Sequence, residues 1–559
     1  MNDPYIHFKE KRGEQYKSFS YGELTRRAMK FAAALEQLGI VYGQRLLIVS
    51  ESRPEWVVTD LAAILIGAIT VPVFPTLTAK QTEYILQHSG AKAVVVSTDY
   101  QLRKILSVID NAPELGSVIV MDSDIVLPSH SRVGFFHFSG LEVQAPDSFT
   151  MKKMSSEEVV TIIYTSGTTG IPKGVMLTHR NLVSNLEAAA AAIPVLNKND
   201  LFLSFLPLSH SFERIASYLV FTLGVQIAFA ESIDSVASNM LEVRPTVMTA
   251  VPRFFERVHT RVEQSRDKMS ALRRIVFDWG LKIGNQNAAK YEGRRVSFFA
   301  RLQFRVANKL VLSKIRQRTG GRIRFFVSGG AALKPDVGKA FAGLGMHIIE
   351  GYGLTETSPV VAVSRIDKLK WGTVGLPLPG IELRIADDGE ILIRGANVMK
   401  GYYKDNAATN EIIDSDGWLH SGDIGIIDEA GRLKITDRKK HIIVLANGKN
   451  IAPAPIEVLL ESSPFIEQAV VLGERRDYCT ALVIPNSEHS NGSDARTAIE
   501  REITKINREL ASYEKIRRFQ ILREPFTIEN GLLTPTLKIR RKEVERKYNE
   551  LIDMMYQQH

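Results

Sequence analysis

Residues 164–179 read Tyr-Thr-Ser-Gly-Thr-Thr-Gly-Ile-Pro-Lys-Gly-Val-Met-Leu-Thr-His. A β-branched run, Val159-Val160-Thr161-Ile162-Ile163, precedes them, and a helical pattern begins near Arg180. Gly167, Gly170 and Gly174 permit positive φ and close backbone approach to a ligand. Thr165, Ser166, Thr168 and Thr169 add hydroxyl donors, and Lys173 adds a cation. Hydroxyls, amides and one lysine on a Gly-rich loop are what a polyphosphate requires. The segment is not a Walker A loop, because Pro172 stands where that motif needs its Gly-Lys pair. A plain Gly/Thr-rich surface turn is the bland alternative, and a string this long and specific disfavours it.

Outward from this segment, helix and strand patterns alternate. Residues 21–37 carry apolar side chains at helical spacing, after which Gly39 and Gly43 punctuate. Short β-branched runs recur at residues 46–49, 93–96, 159–163 and 324–327. Such runs separated by helices indicate parallel sheets with crossover helices, an α/β architecture in layers. From 372 to 394 the texture changes to short strands between Gly/Pro turns, which predicts a small barrel-like or antiparallel subdomain. After Asp437 it changes again, to a compact α+β module of about 120 residues. The expected division is a large domain over 1–436 and a small one over 437–559.

The length of 559 residues suggests two to four folding units at roughly 150 residues each. Composition is that of an ordinary globular protein, with 45% hydrophobic and 24% charged residues, which excludes collagen-like and wholly disordered classes. A single cysteine, Cys479, can form neither an internal disulfide nor a cysteine-based zinc site, so a reducing compartment is expected. Residues 1–12 lack the apolar core of a signal peptide, and the apolar stretches 61–71 and 215–230 are short of a bilayer span. The expectation is a cytoplasmic protein, at most peripheral on the inner face of a membrane.

The formal charge of +9 is unevenly placed. Between Arg253 and Arg324 stand 19 Lys/Arg and 5 Asp/Glu, a local net of +14, which leaves the remainder at −5. Arg301, Arg305 and Lys309 recur at i, i+4 and i+8 on one helical face, with Leu302, Val306 and Leu310 alongside. A solvated helical face is one reading; contact with an anionic membrane is the sharper one. Nucleic acid is not an expected partner.

Residues 164–179 resemble the signature loop of the adenylate-forming superfamily, which activates carboxylates with ATP. Further resemblances follow in that family's order. Gly351-Tyr-Gly-Leu-Thr-Glu-Thr357 is similar to its adenine- and metal-binding motif, and Leu533-Thr-Pro-Thr-Leu-Lys-Ile-Arg540 to its terminal lysine motif. Asp416-Gly-Trp-Leu-His-Ser-Gly-Asp423, continued by Asp437-Arg-Lys-Lys440, resembles the fatty acyl-CoA synthetase signature. Leu206-Pro-Leu-Ser-His-Ser-Phe-Glu213, Ser328-Gly-Gly-Ala-Ala-Leu333 and Asn447-Gly-Lys-Asn-Ile-Ala-Pro453 point to the long-chain branch.

The resemblance implies an AMP-forming ligase using ATP, Mg²⁺ and coenzyme A on a fatty acid. It implies a large N-terminal domain with a small β-barrel-like subdomain, followed by a mobile C-terminal domain. By the same resemblance, Thr165, Ser166, Gly167, Thr168, Thr169, Gly170 and Lys173 hold the phosphates. Gly330, Gly351, Tyr352 and Thr355 resemble the adenine pocket, while Asp423 serves the ribose and Arg438 contacts the ribose or phosphate beside it. Glu356 and Thr165 are associated with magnesium. Lys538, Glu356 and His210 take catalytic places, Asp437 is the hinge and Gly448 lies on the coenzyme A side. One departure is the loop 445–450, Leu-Ala-Asn-Gly-Lys-Asn, where some relatives carry a shorter Gly-Gly-Glu. A medium-chain or aryl acid ligase, or a ligase loading a carrier protein, would share this chemistry.

Overall fold

The β-branched runs become the inner strands of two large sheets. The computed structural model describes residues 5–557, apart from 11–12, 145–148, 166–170, 294–296, 440–441, 447–448, 487–493, 528 and 534–538. Two compact units are distinguished. One comprises Met1–Leu383, Ile393–Leu419 and Gly431–Leu433; the other comprises Arg384–Leu392, His420–Ala430 and Lys434–His559.

In the first unit, an eight-stranded sheet has parallel strands Ile69–Val73, Arg45–Val49, Ala93–Val96, Ser117–Val120 and Gly134–His137 in that order. Val159–Thr165 joins beside Ile69–Val73, followed antiparallel by Lys173–Thr178 and then Gly401–Tyr402. A nine-stranded sheet has Leu201–Ser204, Val247–Ala250, Phe325–Ser328 and His347–Gly353 as parallel neighbours. Gln226–Phe229 and Tyr5–Phe8 extend it in parallel on the other side.

The period of two along each strand sorts its side chains to opposite faces. Leu46 and Ile48 join a core shared with Phe202, Ile227, Val247 and Phe325 of the other sheet, whereas Leu47 and Val49 enter a separate cluster with Val94 and Val96. Helices fill the shared core. Tyr21–Gln37, capped by the Ser20 hydroxyl accepting from the Glu23 N–H, buries Phe31 and Leu35 there. Pro54–Ile66 contributes Trp56 and Val58, and Ser211–Thr222 contributes Leu219 and Val220.

The apolar stretches flagged in the sequence are buried helix–strand pairs. Residues 61–71 end the Pro54–Ile66 helix and enter strand Ile69–Val73; residues 215–230 span the Ser211–Thr222 helix and strand Gln226–Phe229. Among the described residues, no helix is long and apolar enough to cross a membrane.

The Gly/Pro-punctuated region forms a four-stranded sheet in the order Ile381–Ile385, Glu390–Gly395, Leu419–Ile427, Leu433–Arg438. Beyond it, the second unit holds a three-stranded sheet with helices on both faces. Strand Cys479–Pro485 is central, between Ile466–Leu472 and Ile516–Ile521. Val471, Ala481 and Val483 face Ile456, Ile499 and Ile503 of two helices; Val470, Leu482 and Ile484 face Leu532, Val544 and Ile552. Cys479 is wholly buried in the first of these clusters.

A buried ion pair crosses the shared core of the first unit. Arg214, on the Ser211–Thr222 helix, donates twice to Asp60 of the Pro54–Ile66 helix, at 2.9 and 2.6 Å. Its remaining donors reach the hydroxyls of Thr161, at 2.7 Å, and Thr70, at 3.1 Å, on two strands of the eight-stranded sheet. The Tyr218 hydroxyl also donates to Asp60, and the guanidinium lies over the Trp56 and Tyr218 rings. Removing one partner leaves a buried charge uncompensated. Asp60→Asn is therefore expected to destabilise this unit by about 3–5 kcal/mol. An Asp60→Leu/Arg214→Met double variant should lose less than either single variant. Urea unfolding followed by tryptophan fluorescence checks this, and a double variant weaker than Asp60→Asn would contradict it.

Candidate active site

The strands that flank the loop of the quoted segment, Val159–Thr165 and Lys173–Thr178, pair antiparallel one strand in from an edge of the eight-stranded sheet. Thr165 ends strand Val159–Thr165 and pairs with Lys173, which opens strand Lys173–Thr178. Ser166, Gly167, Thr168, Thr169 and Gly170 lie outside the described residues. Two details differ from the sequence reading. Lys173 begins a strand instead of sitting on the loop, and Gly174 is extended with no need of positive φ. Space explains Gly174: a Cβ there would lie 2.7 Å from Ile162 Cγ2 and 3.2 Å from the Tyr164 ring. The helix then starts at His179, capped reciprocally by Thr178 and Asn181.

Lys173 and Glu356 meet through a tyrosine. The Lys173 ammonium lies 5.1 Å from the centre of the Tyr402 ring, whose hydroxyl donates to Glu356 Oε1 at 3.0 Å. Burial, and then Glu356 itself, raise the Tyr402 pKa well above the ordinary phenol, so the hydroxyl stays a donor. Glu356 sits in the one-turn helix Thr355–Thr357 that follows strand His347–Gly353. Gly353 makes this turn possible, because a Cβ there would fall 1.6 Å from the Pro359 carbonyl oxygen. Gly351 and Tyr352 lie on the same strand, opposite Val363 and Ala362.

A second approach to this turn comes from the Ser211–Thr222 helix. The Ser211 hydroxyl lies 3.4 Å from that of Thr355. His210 is the N-cap, and its Nδ1 accepts from the Phe212 N–H at 3.1 Å, which leaves Nε2 to carry the proton of the neutral ring. The Phe212 ring would be 3.2 Å from a Cβ at Gly329, and Gly330 beside it holds φ at 84°. Thr165, Lys173, Glu356, Thr355, His210 and Gly330 are thus joined by a chain of contacts.

Among the described residues, no three His, Cys, Asp or Glu are grouped to hold a metal ion. A single carboxylate such as that of Glu356 is the kind of ligand Mg²⁺ commonly takes, with substrate phosphates and water completing the shell.

In the second unit, Arg438 Nε donates to the Asp423 carboxylate at 2.9 Å. Beside them, Glu390 accepts from Lys439 at 2.8 Å, from the Gly422 N–H at 2.9 Å and from His420 at 3.2 Å. Burial pushes Glu390 up, but these donors hold its carboxyl below the ordinary range. Asp437 accepts from the Arg438 N–H at 2.5 Å and the Ala454 N–H at 3.2 Å, holding the start of helix Pro453–Leu460. Burial raises its pKa. Lys538 and Gly448 lie outside the described residues; Leu533 and Ile539, which flank the former, bridge antiparallel.

Residues 2–403 match the AMP-binding enzyme family, and residues 440–559 match the AMP-binding enzyme C-terminal domain. The chain belongs to the AMP-binding enzymes. This AMP-binding enzyme is 37% identical to a long-chain-fatty-acid–CoA ligase of Mycobacterium bovis, over 94% of the chain and 90% of the relative. It is 33% identical to the peroxisomal long chain acyl-CoA synthetase 6 of Arabidopsis thaliana, over 97% and 82%. Its fold is that of the adenylation domain of a carboxylate reductase from Mycobacterium chelonae, at TM-score 0.80 and 22% identity, covering 100% of this chain and 89% of that one. An anthranilate CoA ligase solved with anthranoyl-AMP shares it at TM-score 0.76 and 20% identity, over 98% and 94%.

Tyr402 and Glu390 escaped the sequence reading, and Ser211 and Lys439 stood within motifs without their partners showing, since those partners lie far off in the chain. Glu213 lay within a quoted motif, but its role did not show. In this AMP-binding enzyme it is fully buried and accepts from the hydroxyls of Ser204, at 2.5 Å, and Thr249. Burial pushes its carboxyl from 4.5 up to about 7 against these hydrogen bonds. A folded pKa above the unfolded one means the native state binds the extra proton, so the contribution of Glu213 falls as pH rises from about 4.5 to about 7. Glu213→Gln should remove that part of the slope while leaving any share from Glu350, which burial pushes up to about 8. Urea midpoints measured across this range check it; an unchanged slope in the variant would contradict it.

Proposed function

We propose that this protein is a long-chain fatty acid–CoA ligase, forming acyl-AMP from a fatty acid and ATP, then the coenzyme A thioester. The observation that carries this reading is the 37% identity, over 94% of the chain, to a ligase of that name. A rat long-chain-fatty-acid–CoA ligase 5, 32% identical over 100% of the chain, supports it.

In the first step, a carboxylate oxygen of the acid bonds to the α-phosphorus of ATP and pyrophosphate leaves with the electrons of the broken P–O bond. Two anions must meet, so cations and oriented donors dominate the site. Lys173 and residues 165–170 hold the phosphates. A Mg²⁺ ion held by Glu356 and Thr165 would neutralise phosphate charge. The Tyr402 hydroxyl bond orients Glu356 for that work. Gly330, Gly351, Tyr352 and Thr355 form the adenine pocket, and His210 stands beside the acyl carboxylate. Asp423 accepts from the ribose hydroxyls, and Arg438, paired with it, contacts the ribose or phosphate.

In the second step, the coenzyme A thiol gives up its proton, its sulfur attacks the acyl carbon and AMP departs. With Asp437 as hinge, Lys538 serves adenylation and the loop bearing Gly448 serves thioester formation. The same reading expects a cytoplasmic protein, at most peripheral to a membrane. Lys538→Ala is expected to lower fatty-acid-dependent pyrophosphate release by about a hundredfold or more, while thioester formation from supplied acyl-AMP stays largely intact. Equal loss of both half-reactions in a folded variant would contradict the two-face assignment. An acyl-chain-length series read by AMP release, with coenzyme A and then a carrier protein as acceptor, tests the substrate class. Preference for short or aryl acids would overturn it.

A further inference from the structure

The basic block resolves into two kinds of residue. Some are structural: Arg324 pairs with Asp200 at 2.6 Å, Arg266 pairs with Asp278 at 2.7 Å, and Arg316 donates to the Leu344 carbonyl at 2.6 Å. Arg301, Arg305 and Lys309 differ. They are exposed on the continuous helical stretch formed by Phe298–Ala307, Asn308–Leu312 and Ser313–Gln317, and among the described residues they make no ion pair. From 293 to 330 the sequence has ten basic residues and no acidic one.

Beside that basic row runs an apolar one that the protein leaves in solvent. Phe298 is 82% exposed, Phe299 67%, Leu302 48%, and Val306 and Leu310 47% each. At 100° per residue, Leu302, Val306 and Leu310 form one stripe, and Arg301, Arg305 and Lys309 form its border. The back of the same helix is committed to the core. Ala307, Val311 and Leu312 are buried, and Gly280 packs so closely that a Cβ there would be 2.7 Å from Val311 Cβ. The stripe therefore cannot turn inward.

We infer that this face, residues 298–310, lies in the headgroup region of an anionic lipid bilayer, with Phe298 and Phe299 inserted and Arg301, Arg305 and Lys309 on lipid phosphates. Charge complementarity and geometry together select this occupant. An amphipathic helix with aromatic and aliphatic side chains on one side and basic residues at its border suits an interface. Nucleic acid would satisfy the arginines but leave the aliphatic stripe in water. A second copy would bring the three cations of this face against three of the same sign. The inference extends the proposed function, whose acyl substrate partitions into membranes, but does not depend on turnover.

The test is vesicle sedimentation without ATP, acid or thiol, so its failure is separate from failure of the ligase reading. The full-length protein should pellet with phosphatidylcholine/phosphatidylglycerol vesicles and much less with phosphatidylcholine alone. Charge reversal, Arg301→Glu/Arg305→Glu/Lys309→Glu, should lower partitioning roughly a hundredfold. Phe298→Ser/Phe299→Ser should lower it about tenfold or more. All five side chains are exposed, so far-UV circular dichroism should match the wild type. Binding indifferent to anionic lipid, or unaltered by either variant, overturns the inference. So does a serine variant that dissociates an oligomer while vesicle binding is unchanged, because the face would then join two copies of the chain.

Discussion

Two adjacent charged residues, Glu213 and Arg214, fix one helix between the two large sheets, and much of the first unit's chemistry depends on that helix. Glu213 reaches Ser204 and Thr249 on strands of the nine-stranded sheet. Arg214 reaches Thr70 and Thr161 on the eight-stranded sheet, with Asp60 as its counter-charge. Neighbouring positions on a helix point about 100° apart, so consecutive residues can grip opposite layers. Buried ionic groups contribute little net stability, but they tolerate few alternative arrangements. Because the helix is held on both sides, its N-cap is too. His210 and Ser211 are thereby presented to the turn carrying Thr355 and Glu356.

What the sequence displays openly is periodicity. The helix at 21–37 and the strand at 93–96 coincide with their apolar patterns, because a period of 3.6 or 2 is a property of neighbouring residues. The basic-apolar helix at 298–310 was legible for the same reason, although its exposed side could be known only once Val311 and Leu312 were seen to be buried. Motif-bearing residues such as Glu356 were found by resemblance. The interactions that orient them were not, because Tyr402 is 46 residues from Glu356 and lies in an unremarkable Gly-Tyr-Tyr.

The second unit repeats this lesson with charge. Asp423 and Arg438 belong to quoted motifs, but Glu390, whose hydrogen bonds with Lys439 and the Gly422 N–H surround them, comes from a different strand. Nothing within a few residues of Glu390 distinguishes it from a solvated glutamate. Only the sheet order, which sets Glu390–Gly395 beside Leu419–Ile427, gives it that place.

The antiparallel pairing of Thr165 with Lys173 carries a further consequence. A strand alternates its side chains, so a one-residue slip of Lys173–Thr178 against Val159–Thr165 would move Gly174 off its partners and turn Lys173 to the other face. The first outcome moves Gly174 from the only place that spares Ile162 and Tyr164 a collision. The second removes the ammonium from Tyr402. The pairing thus fixes both the face on which Lys173 stands and the need for glycine at position 174.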